Sequence, residues 1–380
     1  MAMQVGFGVN NLPAQPQARQ PRGVVKLGDE IIKGWVSFEV DNNSFYQADT
    51  FRVVFALSLL PAERNADWFS QQTEIMCEVL AGFPLDAERY TPAELDSLIY
   101  GRVDDVNFDP VAGTVEVSGR DLTSVFIDAK TTEKWQNLKA HQIVQELAKR
   151  HGLTAVATET KTVVGTYYQL DHANMSDQRS EWDMLTWLAH KEQFVIFVKG
   201  KELHFEPLPK ETDEPYLLRW DAPNDERGHP VFNGKAVSFT RSLTLAKGVS
   251  VTVKSWNQKQ KKGFTVTYPN KANGAQPGKS GIANDGQVYS YVVPNKTHEE
   301  ALQIAQAKHK EITKHEVKLS ATMPADNLLA VTHIIRVDGT KTAFDQIYYP
   351  DNIVRRMDIH EGYSMSINAK NHSPDSVVQP

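Results

Sequence analysis

The chain has 380 residues, enough for two or three domains, and its hydrophobic fraction of 41% is ordinary for a folded protein. The formal net charge of −6 argues against a general nucleic-acid-binding protein, because such a protein needs a basic surface. A single cysteine, Cys77, excludes an intrachain disulfide, and no stretch approaches the roughly 18 apolar residues of a membrane span.

Residues 1–24 predict a flexible N-terminal arm. Gln, Asn, Pro and Gly dominate this stretch, which is typical of segments that become ordered only against a partner. The arm has neither the basic start nor the apolar centre of a signal peptide. We therefore expect the protein to be made and kept in a cytoplasm.

Residues 25–128 predict a small antiparallel β-barrel. In the sequence GWVSFEV, every second residue from Val36 to Val40 is apolar, as in a strand with one buried face. Two later strands are joined by a predicted turn at Asp109–Gly113. Cys77 shares a strand face with apolar residues two positions away on each side, so we expect a buried structural thiol there.

Residues 129–219 predict a small α/β module. In the sequence NLKAHQIVQELAKRHGL, one helical face carries Ile143, Val144, Leu147 and Ala148. Gly152 follows as the residue that ends this helix. A second helix begins after Ser180, which forms a capping box with Asp183, and leads into a hairpin that turns around Lys199–Lys201.

Residues 220–372 return to a β pattern, and residues 373–380 form a polar tail. The phrase Val-Ser-Phe occurs in both β regions, each time before a run of β-branched residues. The residues singled out as candidates for a repeated barrel strand are Val36, Phe38, Val237 and Phe239. A polar loop and a helix with Thr297 as its N-cap interrupt the second region at about residues 270–316.

Two partial motifs fail as ligand sites. The segment Gly274–Ser280 resembles a phosphate-binding loop, but its glycine spacing is one residue short and no helix pattern follows. The segment Asp105–Glu116 spaces its acidic residues like a calcium loop, but Pro110 stands where glycine is needed. A surface loop and a β-hairpin are the better interpretations.

The histidines and lysines suggest no reaction centre either. The spacing between His141 and His151 does not match a metal motif, and neither does that between His309 and His315. His190 follows a helix, whose dipole favours a positive charge at that end. A short basic run is most simply a solvated turn: Lys254, Lys259, Lys261 and Lys262. The sequence therefore predicts a non-enzymatic protein with no catalytic residue, no cofactor and no metal. A pair of catalytic carboxylates that only the fold brings together stays open at this point.

The order and spacing of several phrases resemble the late-control protein D family, the baseplate-hub proteins of contractile-tailed phages. The family is also similar to the N-terminal part of the valine-glycine-repeat spike proteins of type VI secretion. The phrases that carry the resemblance are KGWVSFEV, YGRVDDV, VEVSGRDLTSVFIDAK, NLKAHQIVQELAKRHGL, RSEWDMLTWLAHKEQFVIFVKGKELHF, VSVTVKSWNQKQKK, THEEALQIAQAKHKEI and EGYSMSINAKN. They extend over roughly residues 31–371, and none is a catalytic motif.

The resemblance implies a β-rich α+β fold with two similar antiparallel β-barrel domains, the α/β module between them and a helical insertion near the second barrel. Three chains would form a ring whose six barrels match the sixfold tail tube, while the threefold axis matches the central spike. The implied partners are the tail tube protein, the spike protein, other baseplate proteins and the tape-measure protein, with DNA passing through an axial channel without specific binding. The implied location is the virion, after assembly in the host cytoplasm.

Two segments depart from the family pattern, and two other functions stay open. The insertions Ala62–Gln72 and Pro84–Ser97 look specific to this chain and are candidates for contacts with neighbouring proteins. The segment Asn137–Leu153 has some likeness to wall-binding repeats, which suggests a peptidoglycan-degrading or wall-binding tail component. The spike base of a secretion system is the second alternative, because it has the same fold.

Overall fold

A computed structural model gives the architecture of the chain. It describes residues 20–131, 135, 138–161, 179–207, 214–223, 229–242, 249–257, 262–269, 287–294, 296–313 and 317–371.

Strands dominate these ranges, and helices are few. The strands are β1 Arg22–Leu27, β2 Glu30–Ile32, β3 Trp35–Asn43, β4 Thr50–Ala56, β5 Met76–Gly82, β6 Asp96–Asp109, β7 Thr114–Asp121, β8 Lys130–Thr131, β9 Thr154–Ala157, β10 Arg179–Ser180, β11 Phe194–Lys199, β12 Glu202–Pro207, β13 Tyr216–Asp221, β14 Val231–Phe232, β15 Ala236–Arg241, β16 Val249–Asn257, β17 Lys262–Tyr268, β18 Gln287–Val292, β19 Val317–Pro324, β20 Ile335–Asp338, β21 Ile347–Asp358 and β22 Gly362–Lys370. The helices are α1 Ala66–Gln71, α2 Thr123–Asp128, α3 Ala140–Arg150, α4 Glu181–Glu192 and α5 His298–Thr313. None of the helices described is long and apolar enough to cross a membrane.

The chain divides into two compact units, each built from separate stretches of sequence. The first comprises Met1–Glu214, Thr322–His333 and Asp351–Ser366. The second comprises Pro215–Ala321, Ile334–Pro350 and Ile367–Pro380.

The main sheet of the first unit has the strand order β22-β21-β3-β4-β7-β6-β5-β1-β2. Neighbours from β21 to β2 are antiparallel. The alternation predicted from the sequence holds in β3 from Phe38 to Val40, where Phe38 and Val40 are buried and Glu39 is exposed, whereas Trp35, Val36 and Ser37 are all half-buried. Cys77 is also fully buried, as expected for a structural thiol, and burial raises the pKa of its side chain well above its ordinary value.

Within residues 129–214, the first unit contains a small sheet and two helices that pack on it. Strands β11, β12 and β9 form a mixed sheet, and β9 runs parallel to β12. Helices α3 and α4 bury the predicted apolar face against this sheet. The Ser180–Asp183 capping box is confirmed, with the Asp183 amide donating to the Ser180 hydroxyl at 3.1 Å.

The second unit contains two sets of strands. In one set, β13 pairs with β14 and β20, and β15 pairs with β19. In the other, the sheet β17-β16-β18 packs on α5 around Val249, Val251, Val253, Ala301 and Ala305. Thr297 and Glu300 form the predicted cap at the start of α5.

The fold class is β-rich with mixed sheets, and the strand pairings among the described residues follow open paths that do not close a barrel. The expectation of purely antiparallel strands in the second β region is wrong, because β16 is parallel to β18 and β13 is parallel to β20. Parallel neighbours need a long crossover connection. Here the chain between β13 and β20 includes the whole β17-β16-β18 sheet and α5.

A close approach between β6 and β7 explains the glycine of the phrase Gly119-Arg120-Asp121-Leu122. A Cβ atom on Gly119 would lie 2.0 Å from the carbonyl oxygen of Arg102. One on Gly101 would lie 2.1 Å from the carbonyl oxygen of Arg120. Since both obstacles are backbone atoms within one sheet, neither can move aside without breaking the register.

We therefore expect Gly119→Ala to lower the free energy of unfolding by about 1–3 kcal/mol or more, because the added methyl group forces the two strands apart. The measurement is chemical denaturation followed by circular dichroism. Ser118→Ala on the same strand is the control and should change stability by no more than about 0.5 kcal/mol. Equal effects of the two substitutions would show that the close approach does not constrain the sheet.

Candidate functional site

A buried guanidinium joins C-terminal parts of the chain to the first sheet. Arg355 on β21 is only 4% exposed. Its Nε donates to the carbonyl oxygen of Asp326 at 3.1 Å, its Nη1 donates to Oδ1 of Asn42 at 3.1 Å, and its Nη2 donates to the carbonyl oxygen of Leu329. One side chain therefore fixes a loop, strand β3 and strand β21 together. We call Arg355 with these three partners the Arg355 anchor.

Two carboxyl groups lie next to the anchor: that of Asp121 is buried, and that of Asp49 is half-buried. The side chain of Asp49 accepts hydrogen bonds from Asn42 Nδ2 at 2.8 Å and from the Asn43 amide at 2.7 Å. Asp121 accepts from the amide and the hydroxyl of Thr123, at 3.1 and 3.0 Å. The Asp121 amide donates to the carbonyl oxygen of Asp49 at 3.0 Å, which brings the two residues together.

The surroundings of these carboxyl groups favour their protonated forms. Burial raises the pKa of Asp49 to about 7, although its two hydrogen bonds oppose the shift. Burial and the neighbouring charge of Asp49 raise the pKa of Asp121 well above its ordinary value. In an enzyme, such a pair would be a candidate acid or base. Here the hydrogen bonds of both side chains go to nearby protein groups.

The loop between β3 and β4 attaches the main sheet of the first unit to the α/β module. The hydroxyl of Tyr46 donates to the carbonyl oxygen of Phe194 at 2.7 Å, and Trp182 Nε1 donates to the carbonyl oxygen of Tyr46 at 3.0 Å. The ring of Tyr46 stacks on His190 with a centroid distance of 4.4 Å. The sequence pointed to the helix dipole as the role of His190, whereas the structure adds this ring contact.

The four candidate repeat residues all lie on strands, in unlike surroundings. Phe38 is 1% exposed and its ring lies 5.3 Å from that of Trp35. Phe239 is half-buried and stacks on Phe344 at 5.1 Å. Val36 and Val237 are both half-buried. The strand of the first phrase pairs with the next main strand, β4, whereas the strand of the second phrase pairs with β19.

The structure describes one of the two partial ligand motifs and part of the basic run. Asp105–Glu116 lies in the β6–β7 hairpin, as expected. Oδ1 of Asp109 accepts from the amides of Val111 and Ala112 in the turn, at 2.8 and 2.9 Å. The phosphate-loop-like segment 274–280 lies outside the described residues, as does the 258–261 part of the basic run.

The histidines are held by separate partners. His141 is buried and its Nδ1 lies 3.1 Å from the hydroxyl of Thr160. Nε2 of His151 lies 2.6 Å from a carboxylate oxygen of Glu181. His309 packs edge-on against the ring of Tyr268, while His315 lies outside the described ranges. In the part of the chain that is described, no three His, Cys, Asp or Glu side chains are grouped as metal ligands would be.

Comparison with known structures gives the fold a context. The structure is similar to the tail protein from Neisseria meningitidis MC58, with a TM-score of 0.68 and 13% identity, covering 94% of this chain and 99% of that one. The 43 kDa tail protein of prophage MuSo2 from Shewanella oneidensis gives a TM-score of 0.65 and 16% identity, covering 94% of this chain and 100% of that one. The chain has the fold of phage tail proteins.

The tail-protein fold also extends to a secretion protein. The E. coli protein c3393, described as a component of the type VI secretion system with similarity to T4 tail proteins gp27 and gp5, gives a TM-score of 0.50 and 9% identity, covering 94% of this chain and 79% of that one. No protein-family model and no curated protein sequence matches the chain. At the level of fold, the structural matches confirm the resemblance that the order of the sequence phrases indicated.

The residues that hold this tail-protein fold together were missing from the sequence-based candidates. Arg355, Asp49 and Asp121 were not singled out, and neither was Tyr46. The one available signal was a charged residue on the apolar side of a strand pattern, as at Arg355 in NIVRRMD. That pattern indicates a buried charge and leaves its partners undetermined.

Removal of the buried guanidinium should strongly destabilise the first unit. We expect Arg355→Ala to cost about 3–5 kcal/mol in unfolding free energy, because Asn42 and two carbonyl oxygens lose their donor. The next residue, Arg356, has a side chain that is 54% exposed and provides a matched control. Arg356→Ala should cost no more than about 0.5 kcal/mol in the same denaturation experiment. Similar losses of unfolding free energy in both variants would contradict a stabilising role of the Arg355 anchor.

The carboxyl pair predicts a pH dependence of stability. Because the pKa of each carboxyl group is raised on folding, the native state holds protons that the unfolded chain releases, and stability falls as pH rises from about 4 through about 7. Asp121→Asn removes one of these groups and keeps both contacts with Thr123. The unfolding free energy of this variant relative to wild type should therefore rise between pH 5 and pH 8.

The control for this experiment is Asp358→Asn. Amides of His360 and Glu361 hold the pKa of Asp358 below its ordinary value, so its carboxyl group does not titrate between pH 5 and pH 8. The unfolding free energy of Asp358→Asn relative to wild type should stay constant between pH 5 and pH 8. A constant difference for Asp121→Asn as well would show that the buried pair is ionised in the native protein.

Proposed function

We propose that the chain is a structural baseplate-hub protein of a contractile phage tail or a phage-like particle. The observation that carries the proposal is the match of nearly the whole chain to nearly the whole of two phage tail proteins. An enzyme grafted on this fold would need an added domain or a clustered reactive site. The raised carboxyl pKa values instead belong to Asp49 and Asp121, whose side chains are engaged in internal hydrogen bonds.

The proposed hub is a homotrimer that adapts the sixfold tail tube to the threefold central spike. In this proposal residues 25–128 and 220–372 act as two similar barrel domains, and residues 129–219 form the module between them. The strands carrying Val36, Phe38, Val237 and Phe239 would be the corresponding strands of the two barrel domains. A closed ring would also cover strand edges that otherwise invite uncontrolled pairing.

The proposed partners are the tail tube protein, the spike protein, the tape-measure protein and other baseplate proteins of the virion. DNA would pass along the threefold axis without specific binding. The net charge of −6 supports this passage, because an acidic protein does not retain a phosphate backbone. No cofactor or metal has a part in the proposed function.

A second candidate function is the spike base of a secretion system. It is favoured by the fold shared with c3393 and with the VgrG-containing complex of Francisella, for which the TM-score is 0.54. The identity to that complex is 10%, and this chain covers only 59% of that one. The two functions share the trimeric ring and differ in the particle that carries it.

The ring predicts a defined native mass. Light scattering at several protein concentrations should give three times the chain mass of 42.7 kDa, alone or after addition of the spike protein. Electron microscopy of that species should show a ring with six similar lobes. A monomer that persists in the presence of both spike and tube proteins would overturn the hub proposal.

A turbidity assay on purified cell wall tests the alternative of a peptidoglycan-degrading or wall-binding tail component. It uses the same protein preparation. Clearing of the suspension by this chain alone would contradict a purely structural role. An unchanged turbidity together with a trimeric mass is the expected result.

A further inference from the structure

Strand β18 forms one edge of the sheet β17-β16-β18 in the second unit. It pairs in parallel with β16, and across the described residues no strand pairs with its other side. Natural edge strands are commonly protected by a charge, a proline or a bulge. The sequence of β18, QVYSYV, contains neither a charge nor a proline. The other described edge strands of six residues or more each carry a charge: Lys199 in β11, Arg241 in β15 and Lys262 in β17.

The backbone groups on the free side of β18 belong to alternate residues. The Val293 amide donates to the carbonyl oxygen of Lys254 on β16 at 2.9 Å. Residues two positions apart in a strand point their backbone groups to the same side, so Tyr289 and Tyr291 also face β16. The three remaining residues therefore turn their amide and carbonyl groups toward the free side: Val288, Ser290 and Val292.

The side chains of the same three residues lie on the exposed face of the sheet. Val288 is 65% exposed, Val292 is 77% exposed, and Ser290 is exposed between them. The two tyrosines of β18 are half-buried and pack on the opposite face, against the core that the sheet shares with α5. Helix α5 itself packs mainly on β16 and β17, which places it away from the free edge. The edge thus combines unpaired backbone with exposed apolar side chains.

The sequence of this strand is the same in both directions. Residues 288–292 are Val-Tyr-Ser-Tyr-Val, with Ser290 at the centre. When two copies of the strand lie antiparallel with their Ser290 residues opposite each other, each valine faces a valine and each tyrosine faces a tyrosine. Cross-strand pairs of this kind stabilise antiparallel strands, and no like charges oppose each other here. The strand is therefore complementary to itself.

The same register satisfies the free backbone groups. In an antiparallel pair, residues directly opposite each other alternate between those that exchange two hydrogen bonds and those that exchange none. With Ser290 opposite its counterpart, the exchanging residues are Val288, Ser290 and Val292, whose backbone groups already face the free side. The symmetry of the sequence and the direction of the backbone select the same register independently.

We propose that β18 is a self-pairing surface, through which two copies of the chain associate about a two-fold axis centred on Ser290. Because both copies use the same strand, the contact is complete with two copies and does not propagate. It thereby covers an edge that would otherwise invite uncontrolled pairing. The inference goes beyond the hub proposal, since a threefold ring needs two different surfaces on each copy.

The size of the contact determines how it can be detected. Stable interfaces involve about 20–30 residues on each side, whereas this pairing involves only residues 288–292. The pairs should therefore be short-lived in solution, and a covalent trap is the appropriate measurement.

Disulfide trapping tests the pairing and its register. Full-length ¹⁴N Val288→Cys and ¹⁵N Val292→Cys are mixed and mildly oxidised, and the linked tryptic peptides are identified by mass spectrometry; the natural Cys77 is buried. In the proposed register the Cα atoms of position 288 and position 292 of the other copy are about 5.5 Å apart, within the roughly 4.4–6.8 Å that a disulfide requires. Two copies of position 288 are about 13 Å apart, which is too far.

Mixed-isotope disulfides should therefore exceed those within one isotope at least about fivefold. Random collision would give mixed and unmixed disulfides in equal amounts, and that result would overturn the inference.

A charge at the centre of the strand should prevent the pairing. Ser290→Glu, added to both cysteine variants, places two carboxylates directly opposite each other and should lower the yield of mixed disulfides about fivefold. Thr265→Glu is the matched control, because Thr265 is exposed on the same face of the sheet, on the opposite edge strand β17. It adds the same charge and should leave the yield unchanged. Equal effects of the two substitutions would contradict pairing through β18.

The remaining outcomes separate this inference from the hub proposal. Failure of the mixture to form disulfides, or protection of the β18 thiols only by tube or spike protein, would overturn the self-pairing. A trimer by light scattering would leave the hub proposal standing in either case. A persistent monomer with both partner proteins present, together with mixed disulfides, would overturn the hub proposal and support the self-pairing of β18.

Discussion

The first unit depends on the buried side chain of Arg355. One of its hydrogen-bond partners, Asn42, lies 313 positions earlier in the sequence. Arg355 is removed from water, which is costly, and it is stable there because carbonyl and amide oxygens accept its hydrogen bonds. Those acceptors belong to strand β3 and to the segment around Asp326. Strand β21 can therefore lie beside β3 only in the register that brings the guanidinium to these oxygens. The position of the C-terminal strands in the first sheet follows from that requirement.

The anchor is linked to the carboxyl pair and to the module. Asn42 accepts from Arg355 and donates to Asp49, so one amide connects the guanidinium to a carboxyl group. Asp49 ends the loop in which Tyr46 contacts the module through a hydroxyl, a carbonyl and a ring. These polar contacts, joined through the β3–β4 loop, link β21, β3 and α4. Polar networks of this kind, when fully hydrogen-bonded, favour one arrangement of the core over others.

The elements set by nearby residues could be predicted from the sequence. The contacts between residues far apart in the sequence could not. Helices α3, α4 and α5 follow from apolar periodicity and caps that lie within a few residues of each other. Helix α1 was missed because it has only six residues and one buried side chain, Phe69, in a polar stretch. The Arg355–Asn42 contact spans 313 positions, and no local pattern identifies such a partner. The parallel pairing of β13 with β20 escaped prediction for the same reason.

The division of the first unit into three stretches of sequence has a consequence for synthesis. A ribosome delivers the N-terminal part of a chain first, and most domains fold as soon as their own residues have emerged. Here the sheet still lacks β21 and the donor for Asn42 until residues up to Ser366 have been made. An interrupted translation product therefore retains an open sheet edge beside β3 and an incomplete anchor. Because residues 351–366 complete the first unit, the native sheet of that unit can form only after those residues have been made.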